Sequence, residues 1–457
     1  MKHSSISIAL LLFIITLPLT VLGQQDIPRI LTQREQEEVI DQWTEEKIRT
    51  VLPRLMKRQG IDMWIIIARE YNEDPVIKTM IPANWLSARR RTILVIHQPK
   101  HRKDLETLAI ARYDIGNVFH RSWDKKSQPD QWARLAEIIT DREPKKIGIN
   151  RSEHFALADG ITSSEYDAFM AALPEQYEKK VVSAEKLAIS WLETRTESEM
   201  NVYPLICKIG HQIIDEGFSE KVIQPGITTT KDVEWWFRER LKELKLDTWF
   251  HPTVSLQRAT PKPEEVRREF SEKPGEQIIK HGDLIHVDLG VTYLRLNTDM
   301  QRHAYILKPG EIDAPEHLKR ALRRANELQD ILISNFAEGK TGNQVLEESR
   351  TQAINQGIKP SIYTHPIGYH GHGAGPTIGL WDAQEGVPIK GDYPLYYNTA
   401  YSIELNAVTW SVEWEQEVMI MLEEEAYFDE QGVRFLDGRQ TEFILIPRQG
   451  KQPISKE

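Results

Sequence analysis

The chain has a single cysteine, Cys207, among 457 residues. An internal disulfide framework and a thiolate zinc cage are therefore both excluded. It also lacks an excess of positive charge: 58 Lys and Arg stand against 68 Asp and Glu, a formal net charge of −10. That balance removes the electrostatic case for nucleic acid as a partner. The sequence contains no internal repeats or low-complexity tracts. Beyond residue 23 no apolar run is long enough to span a bilayer, so no stable membrane anchor is expected. The early apolar run, Ile6 to Ile15, is short, follows Lys2 and is broken by Pro18. With Val21-Leu22-Gly23 ahead of Gln24, residues 1–23 read as a cleaved signal peptide, which predicts a secreted or periplasmic protein. A chain of this length can stabilise its core without disulfides. Cys207, in a helical apolar pattern with Tyr203 and Ile206, reads as a packing residue.

The elements that are present alternate. Residues 30–58 are rich in Glu, Lys, Leu and Ile and predict a helix, which Gly60 stops. Asp62 to Ile67 reads as a buried strand, and Thr92 to Ile96 and Ile147 to Ile149 add further strands with helical stretches between them. Such alternation predicts an α/β layer over residues 24–190. A boundary is expected near Ser190 to Thr196, with a second domain over 191–457 and an overall α/β (α+β) class. Thr196-x-x-Glu199 has the form of a capping box opening a helix through Ile214. After Pro225-Gly226, the residues Val233, Trp236, Phe237, Leu241 and Leu244 recur at helical spacing and predict a core-facing stripe.

The chemistry begins at two aspartates eleven residues apart. Asp288 interrupts the apolar strand-like run Leu284 to Leu289, and Asp299 follows further extended residues, Tyr293 to Leu296, and precedes Met300 to Tyr305. An unpaired carboxylate is costly in a core, and two on neighbouring strands repel unless a cation holds them together. Three more candidate ligands lie downstream. His372 sits in the glycine-rich turn Gly371-His372-Gly373-Ala374-Gly375. Glu404 lies in the β-prone run Tyr401 to Leu405, and Glu423 follows Val418 to Leu422. Two Asp, one His and two Glu make a mostly oxygen site that suits two divalent ions such as Mn, Co, Zn or Fe(II), Mn first. Two such ions can lower the pKa of a shared water and polarise a carbonyl. The competing readings are plain. The aspartates would be hairpin turn residues, the histidines structural imidazoles, and Glu423-Glu424-Glu425 a solvated charge run. Trp410 and Trp414, between the glutamates, read as packing residues.

With these residues in place, the sequence resembles the pita-bread metallopeptidases, the group of Xaa-Pro aminopeptidase, prolidase and methionine aminopeptidase. Gly282-Asp283-Leu284-Ile285-His286-Val287-Asp288-Leu289-Gly290 is similar to the first motif of that group. Thr298-Asp299-Met300-Gln301-Arg302 is similar to the second, Gly371 to Gly375 to the histidine motif, and Ser402-Ile403-Glu404 to the penultimate one. Leu422-Glu423-Glu424, with Gly432 beyond, falls in register with the last. Upstream, Thr194 to Met200 and Pro225 to Thr229 resemble the group's helix openings. The resemblance implies a creatinase-like N-terminal α/β domain and a C-terminal pita-bread domain. It implies two metals held by Asp288, Asp299, His372, Glu404 and Glu423. Asp299 and Glu423 would bridge, and Glu404 would also accept a proton from the bridging water. It further implies short peptides as substrates, plausibly with proline after the first residue, and a homodimer.

The departures are specific. Positions where these peptidases carry further histidines hold Phe270-Ser271, Gly368 and Trp381 here, and an arginine position before the last glutamate holds Met421. His251, His365 and His370 are the imidazoles available to replace them, with His365 and His370 the catalytic candidates. His370 competes with His372 as the ligand, and His372 is preferred because Gly-His-Gly-Ala-Gly and Asp382 then both fall in register. Three functions stay open: an Xaa-Pro aminopeptidase or dipeptidase, a creatinase-like C–N hydrolase of a small substrate, and a non-catalytic metal-binding member of the fold.

Overall fold

The computed structural model describes residues 27–100, 104–260 and 275–448. The expected signal peptide and Phe270-Ser271 lie outside the described residues. The helix expected over 30–58 forms as two, Gln33–Thr50 and Leu52–Gln59. Pro53 forces the division: it has no N–H to donate and sits in the first turn of the second helix, where none is needed. Gly60, at φ 63°, ends that helix in the left-handed conformation. The strands Met63–Arg69 and Arg91–His97 pair antiparallel at the centre of a six-stranded mixed sheet, with Trp64 opposite Ile96. Ile147–Ile149 runs parallel beside Met63–Arg69.

The capping box at Thr196 is real: the Glu199 N–H donates to Thr196 Oγ1 at 3.1 Å, and the Thr196 N–H donates to Glu199 Oε2 at 2.8 Å. The helix it opens, Glu197–Gly217, runs three residues past Ile214 and buries Cys207 completely. It packs beside Thr230–Glu243, whose Val233, Phe237 and Leu241 are buried, with Trp236 and Leu244 against the same core.

Three sheets follow. The first pairs Thr253–Gln257, Leu284–Leu289, Met300–Ile306 and Ile444–Ile446. The second is Lys359–Ile362, Leu405–Ser411 and Gln416–Leu422. The third is His365–Ile367, Thr399–Ser402, Glu425–Asp429 and Gly432–Phe435. The chain passes between the second and third sheets three times, at residues 363–364, 403–404 and 423–424. These crossings lie side by side: the Tyr363 N–H donates to Glu404 O, and the Ile403 N–H to Glu424 O. A bridge between Gln301 and Glu423 joins the first sheet to this seam. The helix Glu316–Ser334 packs against the second sheet.

Residues expected to continue an extended run instead make a tight hairpin. Thr292–Tyr293 pairs with Leu296–Asn297, and both turn residues, Leu294 and Arg295, have positive φ (53° and 62°). This matches the twist of a two-residue hairpin, although glycine or asparagine usually supplies it. The reading of Glu423-Glu424-Glu425 as a solvated run is overturned, since all three are buried. Trp414 is buried as expected, whereas Trp410 is 57% exposed. Among the described residues no helix is long and apolar enough to cross a membrane.

Candidate metal centre

The seam positions the candidate ligands. Glu404 and Glu423 each stand where the backbone leaves one sheet for another, so neither is committed to a regular ladder position. Asp288 lies within Leu284–Leu289, directly opposite Gln301. Asp299 precedes Met300–Ile306, and its N–H is held by Glu425 Oε1. His365 opens the short strand His365–Ile367 just after the first crossing.

These side chains converge. His365 Nε2 lies 3.8 Å from Asp299 Oδ2, 3.9 Å from Glu404 Oε2 and 3.7 Å from Glu423 Oε1. His372 Nε2 lies 3.9 Å from Asp299 Oδ2. Three overlapping triads have all their donor atoms within 4.8 Å: Asp299, His365 and His372; His365, Glu404 and Glu423; Asp288, Asp299 and Glu423. Donor atoms about 2.0–2.2 Å from a common cation stand about 3–4 Å apart, so the spacing fits. The chemistry fits too. Asp288 Oδ1 and His365 Nε2 are buried with no hydrogen-bond partner. Burial pushes Asp288 up to about 7. Burial, together with the neighbouring carboxylates, lifts Asp299, Glu404 and Glu423 well above the usual range. Burial and the nearby His372 drive His365 down to about 3, so its ring is a neutral donor of a lone pair. The cluster lacks positive charge, which a bound cation would supply.

The glycines around His372 are there for close approach. A Cβ on Gly371 would lie 2.2 Å from the Trp249 indole, and one on Gly373 would lie 2.5 Å from Pro366 O. His372 is edge-on to Trp249 and His365, at 5.0 and 4.7 Å between ring centres, with its side chain 55% exposed.

A profile of metallopeptidase family M24 matches residues 205–435, just over half of the chain. The chain belongs to metallopeptidase family M24. It is thereby a metal-dependent hydrolase of the peptidase type, and its mixed α/β architecture is the pita-bread fold. No curated protein matches it. Solved structures do, along nearly their whole lengths. The X-Pro aminopeptidase from Thermotoga maritima MSB8 is 18% identical over 86% of this chain and 99% of that one, with a TM-score of 0.60. The Xaa-Pro dipeptidase from Bacillus anthracis is 17% identical over 91% and 100%, with a TM-score of 0.54. The prolidase from Pyrococcus furiosus is 15% identical over 85% and 99%, with a TM-score of 0.52. At these identities the likeness concerns the fold.

Within this M24 fold, sequence register and structure part at the histidines. His372 comes to the cluster, but so does His365, expected only as a replacement for a missing imidazole, and His365 is the more central and the more buried. His370, the other catalytic candidate, is outside the clustered groups; it is half-buried, and the charges that act on it are Arg195 and Lys78. His251 stands apart as well, 3.6 Å from Glu234 and against Trp235. A histidine at Gly368 would require the Arg195 guanidinium to move, because a Cβ there would lie 2.9 Å from it.

Sequence reasoning missed four neighbours of the M24 cluster. Gln301 Nε2 donates to Glu404 Oε1 at 2.9 Å and to Glu423 Oε2 at 2.7 Å. Ser402 Oγ donates to Glu423 Oε1 at 2.7 Å. Tyr363 lies 5.4 Å from the His365 ring and 5.7 Å from that of His372. His286, which burial pushes down to about 4, backs Gln301 at 3.0 Å. The available signal was alternation: Gln301, His303 and Tyr305 share one strand face, and Asp288 and His286 pair with the first two.

Proposed function

We propose that this M24 member is a dinuclear-metal aminopeptidase or dipeptidase acting on short peptides, with Xaa-Pro peptides first among them. The observation that carries this is the overlap of the three triads at Asp299, Glu423 and His365, which suits two cations sharing ligands. Asp288, Asp299, Glu404 and Glu423 would hold them with an imidazole, His365 at the centre and His372 at the rim. Divalent cations there supply the charge that acidifies a water and polarises a peptide carbonyl. Glu404, with one oxygen facing the cluster, accepts the proton from the attacking water. His372, half exposed, is placed to hydrogen-bond the substrate. His365 is too enclosed for that and serves the cluster.

The same reading takes manganese as the preferred ion, a leader over residues 1–23 that directs export, domains over 24–190 and 191–457, and a homodimer. A creatinase-like C–N hydrolase is the second reading. It is favoured by Gly368, Trp381 and Met421 standing where these peptidases have His, His and Arg. The test is elemental analysis of the mature chain together with hydrolysis of Xaa-Pro peptides with added Mn, Co or Zn. Two ions per chain and release of the first residue support the peptidase. Two ions without cleavage transfer the reading to another C–N bond. Failure to take up metal under any condition leaves a non-catalytic member of the fold.

A further inference from the structure

We infer that Gln301 is a positioning residue that presents Glu404 and Glu423 to the metals, and that Ser255 and His286 orient its amide. The inference rests on the proposed metal centre and concerns what this chain has built behind it. Gln301 is tied to Glu423 twice. Their backbones exchange both bridge hydrogen bonds, at 3.1 and 3.4 Å, where the first sheet meets the seam. The side-chain amide then donates to one oxygen of each glutamate, at 2.7 and 2.9 Å. The oxygens left over, Glu423 Oε1 and Glu404 Oε2, are the ones that face His365 Nε2 at 3.7 and 3.9 Å. The NH2 group thus fixes which oxygen of Glu404 turns inward, and for Glu423 it does so together with Ser402, whose hydroxyl donates to the inward Oε1 at 2.7 Å.

The amide can do this only one way round. Reversed, its oxygen would face the two glutamates with no N–H to offer either of them. The group behind it matches this orientation. His286 Nε2 is 3.0 Å from Gln301 Oε1, and in the tautomer protonated at Nε2 it donates there. Its Nδ1 then accepts from Ser255 Oγ at 3.4 Å. Ser255 faces His286 across the ladder, as Asp288 faces Gln301. Every proton in the series Ser255, His286, Gln301 points toward the carboxylates, which leaves both glutamates as acceptors. Partners of this kind that orient metal ligands typically alter metal affinity about 10–100-fold when removed.

Manganese(II) alone, titrated into metal-stripped full-length protein, tests this. The readouts are dissociation constant, stoichiometry and the rise in Tm on loading. Gln301→Leu is expected to bind about 10–100-fold more weakly, with a smaller Tm rise and a metal-free Tm close to wild type. Gln301→Glu keeps the length but offers no donors, and is expected not to restore binding. His286→Ala frees the amide to invert and is expected to lose a smaller factor. Wild-type affinity, stoichiometry and Tm rise in Gln301→Leu overturn the inference. So does a lower metal-free Tm with unchanged affinity, which marks a merely structural role. If Gln301→Leu does not fold, His286→Ala decides, and unchanged affinity there overturns the inference. If wild type itself takes up no manganese, the metal-centre reading fails first and this inference falls with it.

Discussion

Glu423 and Glu424 are neighbours in sequence, both buried, and opposite in fate. Burial and the nearby Glu404 and Asp288 raise the Glu423 carboxyl well above its ordinary range. Burial would raise Glu424 as well, yet Arg302 and His211 bring it below the ordinary carboxylate range. Arg302 reaches Glu424 at 3.2 Å, and His211 links Glu424 at 2.7 Å to Asp437 at 2.8 Å. One side of the strand turn carries its own counter-charges. The other carries four carboxylates, two neutral imidazoles and orphaned acceptors. A functional centre is recognisable here less by how many acids it gathers than by the counter-charge the protein leaves out.

The sharpest way to break that contrast is Asp299→Ala. Asp299 belongs to two of the three triads, so the variant is expected to lose metal, and peptide hydrolysis is expected to fall to background. Two ions per chain in the variant, by elemental analysis, would sink the site. On the balanced side, Arg302→Ala leaves the buried Glu424 carboxylate with His211 as its remaining counter-charge and is expected to cost about 3 kcal/mol of stability, read by denaturant unfolding. Its folded fraction is expected to keep its metal, which separates the two clusters.

The pH dependence of the balanced cluster sharpens it further. Burial opposes protonation of His211, but Glu424 and Asp437 together lift it to about 9. A folded pKa above the unfolded value near 6.5 contributes stability fully below about pH 6.5, and this is lost as pH rises through 9. The expected change is about 3 kcal/mol between those limits, and His211→Gln should flatten it in unfolding curves at pH 6, 7.5 and 9. The smallest effect separates the two imidazoles. His365→Ala is expected to weaken manganese binding roughly tenfold more than His372→Ala; the reverse order would restore the sequence register.

Much of this was legible in sequence because burial contradicts charge in a readable way. Asp288 and Glu404 sit within apolar, β-prone runs, Glu423 ends one, Asp299 follows Asp288 by eleven residues, and all four come together. The capping box at Thr196 and the core stripe of Thr230–Glu243 rest on local patterns, and local patterns hold. The histidines were harder, because the path of the glycine loop depends on Trp249, which is distant in sequence. Gln301 was hidden for another reason. An amide is common on any strand, and only its partners on three other segments reveal what it holds. The burial of Glu424 required knowing that Arg302 and His211 would meet it.

The hairpin between the two aspartates carries a last consequence. Its tip does not end in solvent: Arg295 Nη2 donates to Ile81 O at 3.0 Å, and the Leu31 N–H donates to the Tyr293 hydroxyl at 2.9 Å. A fragment cut to the segment shared with the family, residues 205–435, would retain all six clustered side chains yet lose both of these clamps. The loop that joins Asp288 to Asp299 is thus anchored at its tip from outside that segment, by residues of the N-terminal part of the chain.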